Sequence, residues 1–85
     1  MMPFEFTLYS KADCSLCDKA KDALALFQRE CIFTLTVVDI ATDSNTFEKF
    51  KYDIPVLAIN GVEAAKHSIG IEKLRVLVKR HAVNK

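Results

Sequence analysis

Four residues, Cys14-Ser15-Leu16-Cys17, hold the side chains of this chain best suited to covalent chemistry. Two thiols at that spacing can close a small disulfide ring, and the pair can exchange electrons with other disulfides, bind a metal, or simply pack. Their surroundings separate the two sulfurs. Cys17, Ala20, Leu24, Phe27 and Cys31 follow one another at steps of three and four, which places them on one face of a helix, while Asp18, Lys19, Lys21, Asp22 and Arg29 fall largely outside that stripe. Cys17 thus begins the face that turns inward. Cys14 falls at the helix N-terminus, outside the stripe, where unpaired backbone N–H groups and the positive end of the helix dipole favour a thiolate over a thiol.

That placement makes Cys14 the candidate nucleophile and Cys17 the candidate resolving cysteine. Lys11 adds a nearby positive charge, and Asp13 and Asp18 oppose it. A fall in thiol pKa from about 8.5 to about 6.5 would raise the thiolate fraction at neutral pH roughly 25-fold. Intrinsic nucleophilicity would drop roughly 8-fold over the same change, for a net gain of only about threefold. An acidified Cys14 therefore helps more as a leaving group, wherever a thiol attacks the other sulfur of a disulfide that Cys14 has formed.

The elements that must position this pair follow from hydrophobic period and turn chemistry. Phe4 to Tyr9 alternates apolar with polar and reads as a strand, and Ser10-Lys11-Ala12-Asp13 reads as the turn that leads into the helix. Ile32 to Asp39 is β-branched and alternating, a second strand parallel to the first through a right-handed crossover, with Asp39 at its end. Ala41 to Asn45 is a turn cluster offering caps, and Thr46 to Tyr52 is expected to form a short helix with Phe47 and Phe50 inward. Ile54-Pro55 opens a third strand, Val56 to Ile59. Asn60-Gly61 signals a two-residue hairpin into a fourth, Val62 to Ala65. After Lys66-His67-Ser68-Ile69-Gly70 comes a closing helix with Ile71, Leu74, Leu77, Val78 and His81 on one side, and Lys73, Arg75, Lys79 and Arg80 mostly on the other.

Composition narrows the function classes. With 85 residues, 51% hydrophobic and 27% charged, the chain suits one domain over residues 1–85. A chain of this size buries about two thirds of its unfolded surface. A net charge of +1 provides no field for nucleic acid, and the basic residues of the last helix read as a solvated face. Met1-Met2-Pro3-Phe4-Glu5 has neither a basic nor an apolar leader region, and no apolar run approaches the roughly 18 residues of a membrane span. A cytoplasmic setting is expected, without membrane or nucleic-acid partners. Three cysteines are an odd number, so redox or metal chemistry is favoured over a structural disulfide framework. Cys31, at the end of the stripe, reads as a core thiol; His67 and His81, isolated in sequence, receive no ligand or acid-base role.

The order βαβαββα, with Cys-x-x-Cys after the first strand and Ile-Pro opening the third, resembles the glutaredoxin branch of the thioredoxin fold. The resemblance covers essentially the whole chain. It is carried by Lys11, Cys14 and Cys17 in Ser10-Lys11-Ala12-Asp13-Cys14-Ser15-Leu16-Cys17 and by Ile54-Pro55-Val56-Leu57-Ala58-Ile59-Asn60-Gly61. It implies an α/β, three-layer sandwich with a four-stranded mixed sheet flanked by helices. It also implies a thiol-disulfide oxidoreductase in which Cys14 attacks and Cys17 resolves. Pro55 would be cis, Ile54 would pair its backbone with glutathione or an extended substrate, and Lys11 would contact a glutathione carboxylate. Two segments depart from the family pattern. Ser15-Leu16 stands where glutaredoxins usually have proline and an aromatic residue, and Lys66-His67-Ser68-Ile69-Gly70 stands where they have Gly-Gly-x-Asp.

The expected partners are accordingly a protein disulfide or a glutathione adduct, and a thiol reductant or reductase, with glutathione one candidate. No bound cofactor and no metal ligand set are expected, and the protein is expected to be a monomer. The competing readings are a metal or iron–sulfur module using Cys14 and Cys17, and an interaction domain without chemistry. One chain supplies two well-placed thiolates where closed zinc and ordinary cluster sites want four ligands.

Overall fold

A computed structural model of the protein describes residues 3–83. Met1 and Met2, part of the leader reading, lie outside the described residues. In chain order the elements are β1 (Phe4–Ser10), α1 (Ser15–Phe27), β2 (Phe33–Asp39), a 3₁₀ turn (Ile40–Thr42), α2 (Ser44–Phe50), β3 (Val56–Ile59), β4 (Val62–Lys66) and α3 (Ile71–Val83). The sheet runs β2-β1-β3-β4. β1 pairs parallel with β2 and antiparallel with β3, and β3 pairs antiparallel with β4. The expected α/β mixed four-stranded sheet in βαβαββα order is thus present.

The period-two pattern of the strands divides the core into two layers. Phe6 and Leu8 of β1 and Leu57 and Ile59 of β3 point to one face, where they pack with Ala20, Leu24 and Phe27 of α1 and Leu74 and Leu77 of α3. Val56, on the alternate face of β3, packs with Ile40 and Phe50, and Tyr9, Phe47 and Ile54 lie against them. Helices therefore cover both faces, which is why all four residues of β3 are buried. On the larger side Phe33 stacks on Phe6 with ring centroids 4.4 Å apart, fixing β2 against β1.

The hairpin follows its sequence signal. Asn60 and Gly61 both have positive φ, 52° and 84°, the pair of left-handed residues that a type I′ turn requires. The Asn60 side chain also accepts the Glu5 N–H at 2.9 Å, and the Asn60 N–H donates to the Glu5 carbonyl at 2.7 Å, tying the turn to β1. Beyond the turn the register slips. Ala58 opposes Glu63 and Leu57 opposes Ala65, so Ala64 is an extra residue in β4 and the strand bulges there.

Several boundaries differ from the sequence reading, and β1 and β4 each run one residue further, through Ser10 and Lys66. α1 ends at Phe27, so Cys31 lies beyond it in a turn; Arg29 and Glu30 donate to carbonyls three residues back, and Cys31 donates to Phe27 at 3.1 Å. α2 begins at Ser44 because Asp43 caps it, its side chain accepting the Thr46 N–H at 3.0 Å, and Tyr52 falls outside in an exposed turn. Ile32, read as the start of β2, is 82% exposed and precedes the strand.

Arg75 acquires a partner that the sequence did not indicate. Its Nε and Nη2 donate to the two carboxylate oxygens of Glu30 at 2.9 and 2.7 Å, while Nη1 donates to Glu72 at 3.0 Å. This fork joins the turn after α1 to α3, 45 residues away. The hydrogen bond from Arg75 holds the Glu30 carboxyl below its ordinary value near 4.5. A lowered folded-state pKa adds stability that is present above the unfolded value and is lost as pH falls through the folded one. Arg75→Gln is therefore expected to lower the melting temperature at pH 6 to 7. The difference from the parent protein should shrink as thermal melts are taken below about pH 4.5, where protonation of Glu30 removes the interaction from the parent as well.

Candidate functional site

The sheet topology gathers the candidate residues at one end. Ser10 ends β1 opposite Asp39 of β2, and Tyr9 opposes Val56, so the residues that follow β1 and those that precede β3 share that edge of the sheet. The chain leaves β1 through an exposed turn over Lys11, Ala12 and Asp13, with Asp13 at φ 60°, and enters α1 at Cys14.

Cys14 is the N-cap of α1. Its backbone is extended, with φ −121° and ψ 105°, and its carbonyl already accepts the first intrahelical bond, from the Asp18 N–H at 3.1 Å. The Cys17 N–H donates to the Cys14 sulfur at 3.1 Å, in the role that a serine or aspartate oxygen plays at an ordinary cap. Cys14 and Cys17 are joined as a disulfide, with Cα atoms 5.2 Å apart. The two sulfurs differ in burial as the helical stripe requires. Cys14 is half-buried, whereas Cys17 is fully buried. Leu16, between them, is 41% exposed and presents an apolar side chain beside the disulfide.

Ile54 and Pro55 reach the same end of the sheet. The Ile54-Pro55 peptide bond is cis, and the Pro55 ring is buried. The Pro55 carbonyl is taken by the His67 N–H at 2.8 Å. Among the described residues, no backbone hydrogen bond engages the N–H or C=O of half-buried Ile54. These two groups are free to pair with an extended chain laid beside them. Lys11 is exposed; its ammonium lies 6.0 Å from the centroid of the Phe47 ring and has no carboxylate within ion-pair distance among the described residues.

Cys31 stands apart from the pair. It is free and half-buried, packs against the larger core, and burial pushes its thiol up from its ordinary value. Among the described residues no group of three or more His, Cys, Asp or Glu side chains is arranged to hold a metal ion. Thiol titration of the denatured protein is accordingly expected to find one thiol per chain before reduction and three after. In the native oxidised protein that single thiol should alkylate more slowly than a free cysteine peptide at pH 7. Fast native alkylation would mean that Cys31 is open to solvent.

Sequence reasoning missed a cluster next to Pro55. Lys66 Nζ and His67 Nε2 lie 3.8 and 3.7 Å from the same Asp53 oxygen. The bulge at Ala64 creates this arrangement, because an unbulged hairpin from Asn60-Gly61 would set Lys66, and not His67, opposite Pro55.

Comparison with known proteins agrees with this architecture. Residues 5–79, from β1 into α3, match the model of the family described as Glutaredoxin-like domain (DUF836). The "Glutaredoxin-like protein YDR286C homolog" of Dictyostelium discoideum is 35% identical over 72 residues, which cover 78% of this chain and 67% of that protein. Among solved structures, target protein XcR50 from X. campestris superposes with a TM-score of 0.73 at 32% identity, over 88% of this chain and 96% of that one. Fasciola hepatica thioredoxin superposes with a TM-score of 0.62 at 21% identity, over 93% and 81% of the two chains, a likeness of fold. With a thioredoxin-like sheet, a bonded Cys14–Cys17 pair at the head of α1 and a family match over nearly its full length, the chain belongs to the glutaredoxin-like family.

Proposed function

We propose that this protein is a dithiol oxidoreductase that reduces protein disulfides or glutathione mixed disulfides. The observation that carries this reading is the Cys14–Cys17 disulfide across the N-cap of α1, with one half-buried sulfur in front of one fully buried sulfur. In the reduced protein, Cys14 thiolate attacks one sulfur of a substrate disulfide; that S–S bond breaks, and the departing thiolate takes a proton from solvent. Cys17 then gives up its proton and attacks the Cys14 sulfur of the mixed disulfide, expelling the second substrate thiolate. Two electrons have passed to the substrate, and the Cys14–Cys17 bond remains. An external dithiol, or two molecules of a monothiol such as glutathione, returns the pair to its reduced form, as a reducing cytoplasm would supply.

The local backbone supports each step. The Cys17 N–H stabilises negative charge on the Cys14 sulfur as the thiolate that attacks the substrate. Burial keeps Cys17 from meeting substrates first. The unengaged N–H and C=O of Ile54 pair with the backbone of the bound substrate, and Lys11 contacts a carboxylate of glutathione or of a peptide.

A turnover assay of the pure protein tests this function. It should be run with glutathione plus glutathione reductase and, separately, with a thioredoxin-reductase system, against a small mixed disulfide and a protein disulfide. Turnover with at least one pairing is expected. Absence of turnover with every pairing would overturn the reading.

A further inference from the structure

Consecutive residues of a strand send their side chains to opposite faces, yet Lys66 and His67 both reach Asp53. The cause is the backbone of His67, which has φ 69° and so breaks the alternation directly after β4. A left-handed backbone is strained at a residue other than glycine, and such conformations concentrate at functional sites. His67 is held there by its N–H bond to the Pro55 carbonyl, one residue from the unengaged backbone groups of Ile54.

The cluster has hydrogen-bonding capacity to spare. Lys66 and His67 side chains are 56% and 52% exposed, and each lies more than 3.5 Å from Asp53, so a single carboxylate charge is shared between them at ion-pair range without a hydrogen bond to either. Neither side chain donates to any other group among the described residues. A second carboxylate arriving beside Pro55 would meet an ammonium and an imidazole N–H with unused donors.

We propose that Lys66 and His67 are specificity-determining residues that select polypeptide disulfides carrying an Asp or Glu side chain close to the scissile bond. This inference rests on the dithiol reading above and names its substrate class. A polypeptide pairs its backbone with Ile54, and its acidic side chain lies toward the β4 edge of the sheet against Lys66 and His67, while the cysteine chemistry proceeds at Cys14. The Asp53 carboxylate keeps the two donors together and repels the incoming acid, so it limits the strength of the preference.

The test compares disulfide peptides of one sequence that differ at a single position next to the cysteine, Glu, Gln or Lys. The parent protein should show kcat/KM about fivefold higher for the Glu peptide than for the Gln peptide, the size expected of exposed charge contacts, with the Lys peptide poorest. The ratio should shrink as salt is raised. In the double variant Lys66→Gln/His67→Asn, where asparagine tolerates the left-handed backbone, the Glu-to-Gln ratio should fall to about one. Asp53→Asn should raise the ratio, a gain that misfolding cannot mimic. Equal rates for the Glu and Gln peptides in the parent protein, or a preference that survives the double variant, would overturn the assignment of Lys66 and His67 while leaving the dithiol mechanism in place. Absence of turnover for all three peptides would instead overturn the mechanism and this inference with it.

Discussion

Cys14→Ser protein is expected to reduce no disulfide above the uncatalysed rate, a loss on the order of a thousandfold or more, because serine supplies no thiolate at neutral pH. The substitution is conservative in structure, since a serine hydroxyl is a good N-cap and can accept the Cys17 N–H in place of sulfur. The fold should therefore survive and the loss should be chemical. Cys17→Ser separates the two thiols further. Attack by Cys14 would still occur, but nothing behind it would cleave the product, so a mixed disulfide with substrate should accumulate in stoichiometric amount. If Cys17→Ser protein instead turned over in the presence of glutathione, the second thiol would be dispensable and the route would be monothiol. Steady-state turnover and intact mass of the two variants distinguish these outcomes.

The largest stability effect is expected at Leu24. It lies fully buried on the face of α1 that also carries Cys17, Ala20 and Phe27, within the cluster that includes Phe6, Leu8, Leu57 and Leu74. Truncation to alanine removes three heavy atoms from a packed site and leaves a cavity, at a cost of about 3 kcal/mol. Against a total stability of about 5–10 kcal/mol for a domain of this size, that is a large share. Thermal melts of the oxidised protein should fall by about 12–24 °C. Leu26→Ala, two residues on and 50% exposed, should change stability by less than about 0.5 kcal/mol. A large loss at Leu26 with little at Leu24 would mean that α1 is rotated about its axis, and Cys17 would no longer face inward.

The stripe from Cys17 to Phe27 was legible because helical period and burial give one signal, and the same holds for Leu74 and Leu77 in α3. β3 was legible to the residue, since Ile54-Pro55 and the Asn60-Gly61 turn bracket it with strong local signals. Boundaries were lost where one local signal outlasted the element. The stripe continues to Cys31 although the helix has ended, because the turn after Phe27 tightens and still delivers Cys31 to the core. Asp43 was placed in a cap-bearing turn, but which of Asp43, Ser44 and Asn45 would cap α2 depended on the 3₁₀ turn at Ile40–Thr42, set by Asp39 accepting the Ala41 N–H.

The Lys66–His67–Asp53 cluster and the Arg75–Glu30 fork were not legible, for a different reason. Both join residues whose proximity depends on tertiary register. A single extra residue at Ala64 decides whether Lys66 or His67 faces Pro55, and nothing about an Ala-Ala pair marks a bulge. The disposition of the Cys14 and Cys17 thiols, by contrast, is local to one helix start, and the sequence states it directly.

The most direct test of the central claim is peptide mapping of Cys17→Ser protein after reaction, in reduced form, with a labelled disulfide. The label is expected on Cys14, with Cys31 unmodified. Label carried by Cys31, or no adduct on Cys14 under conditions where free cysteine reacts, would contradict it.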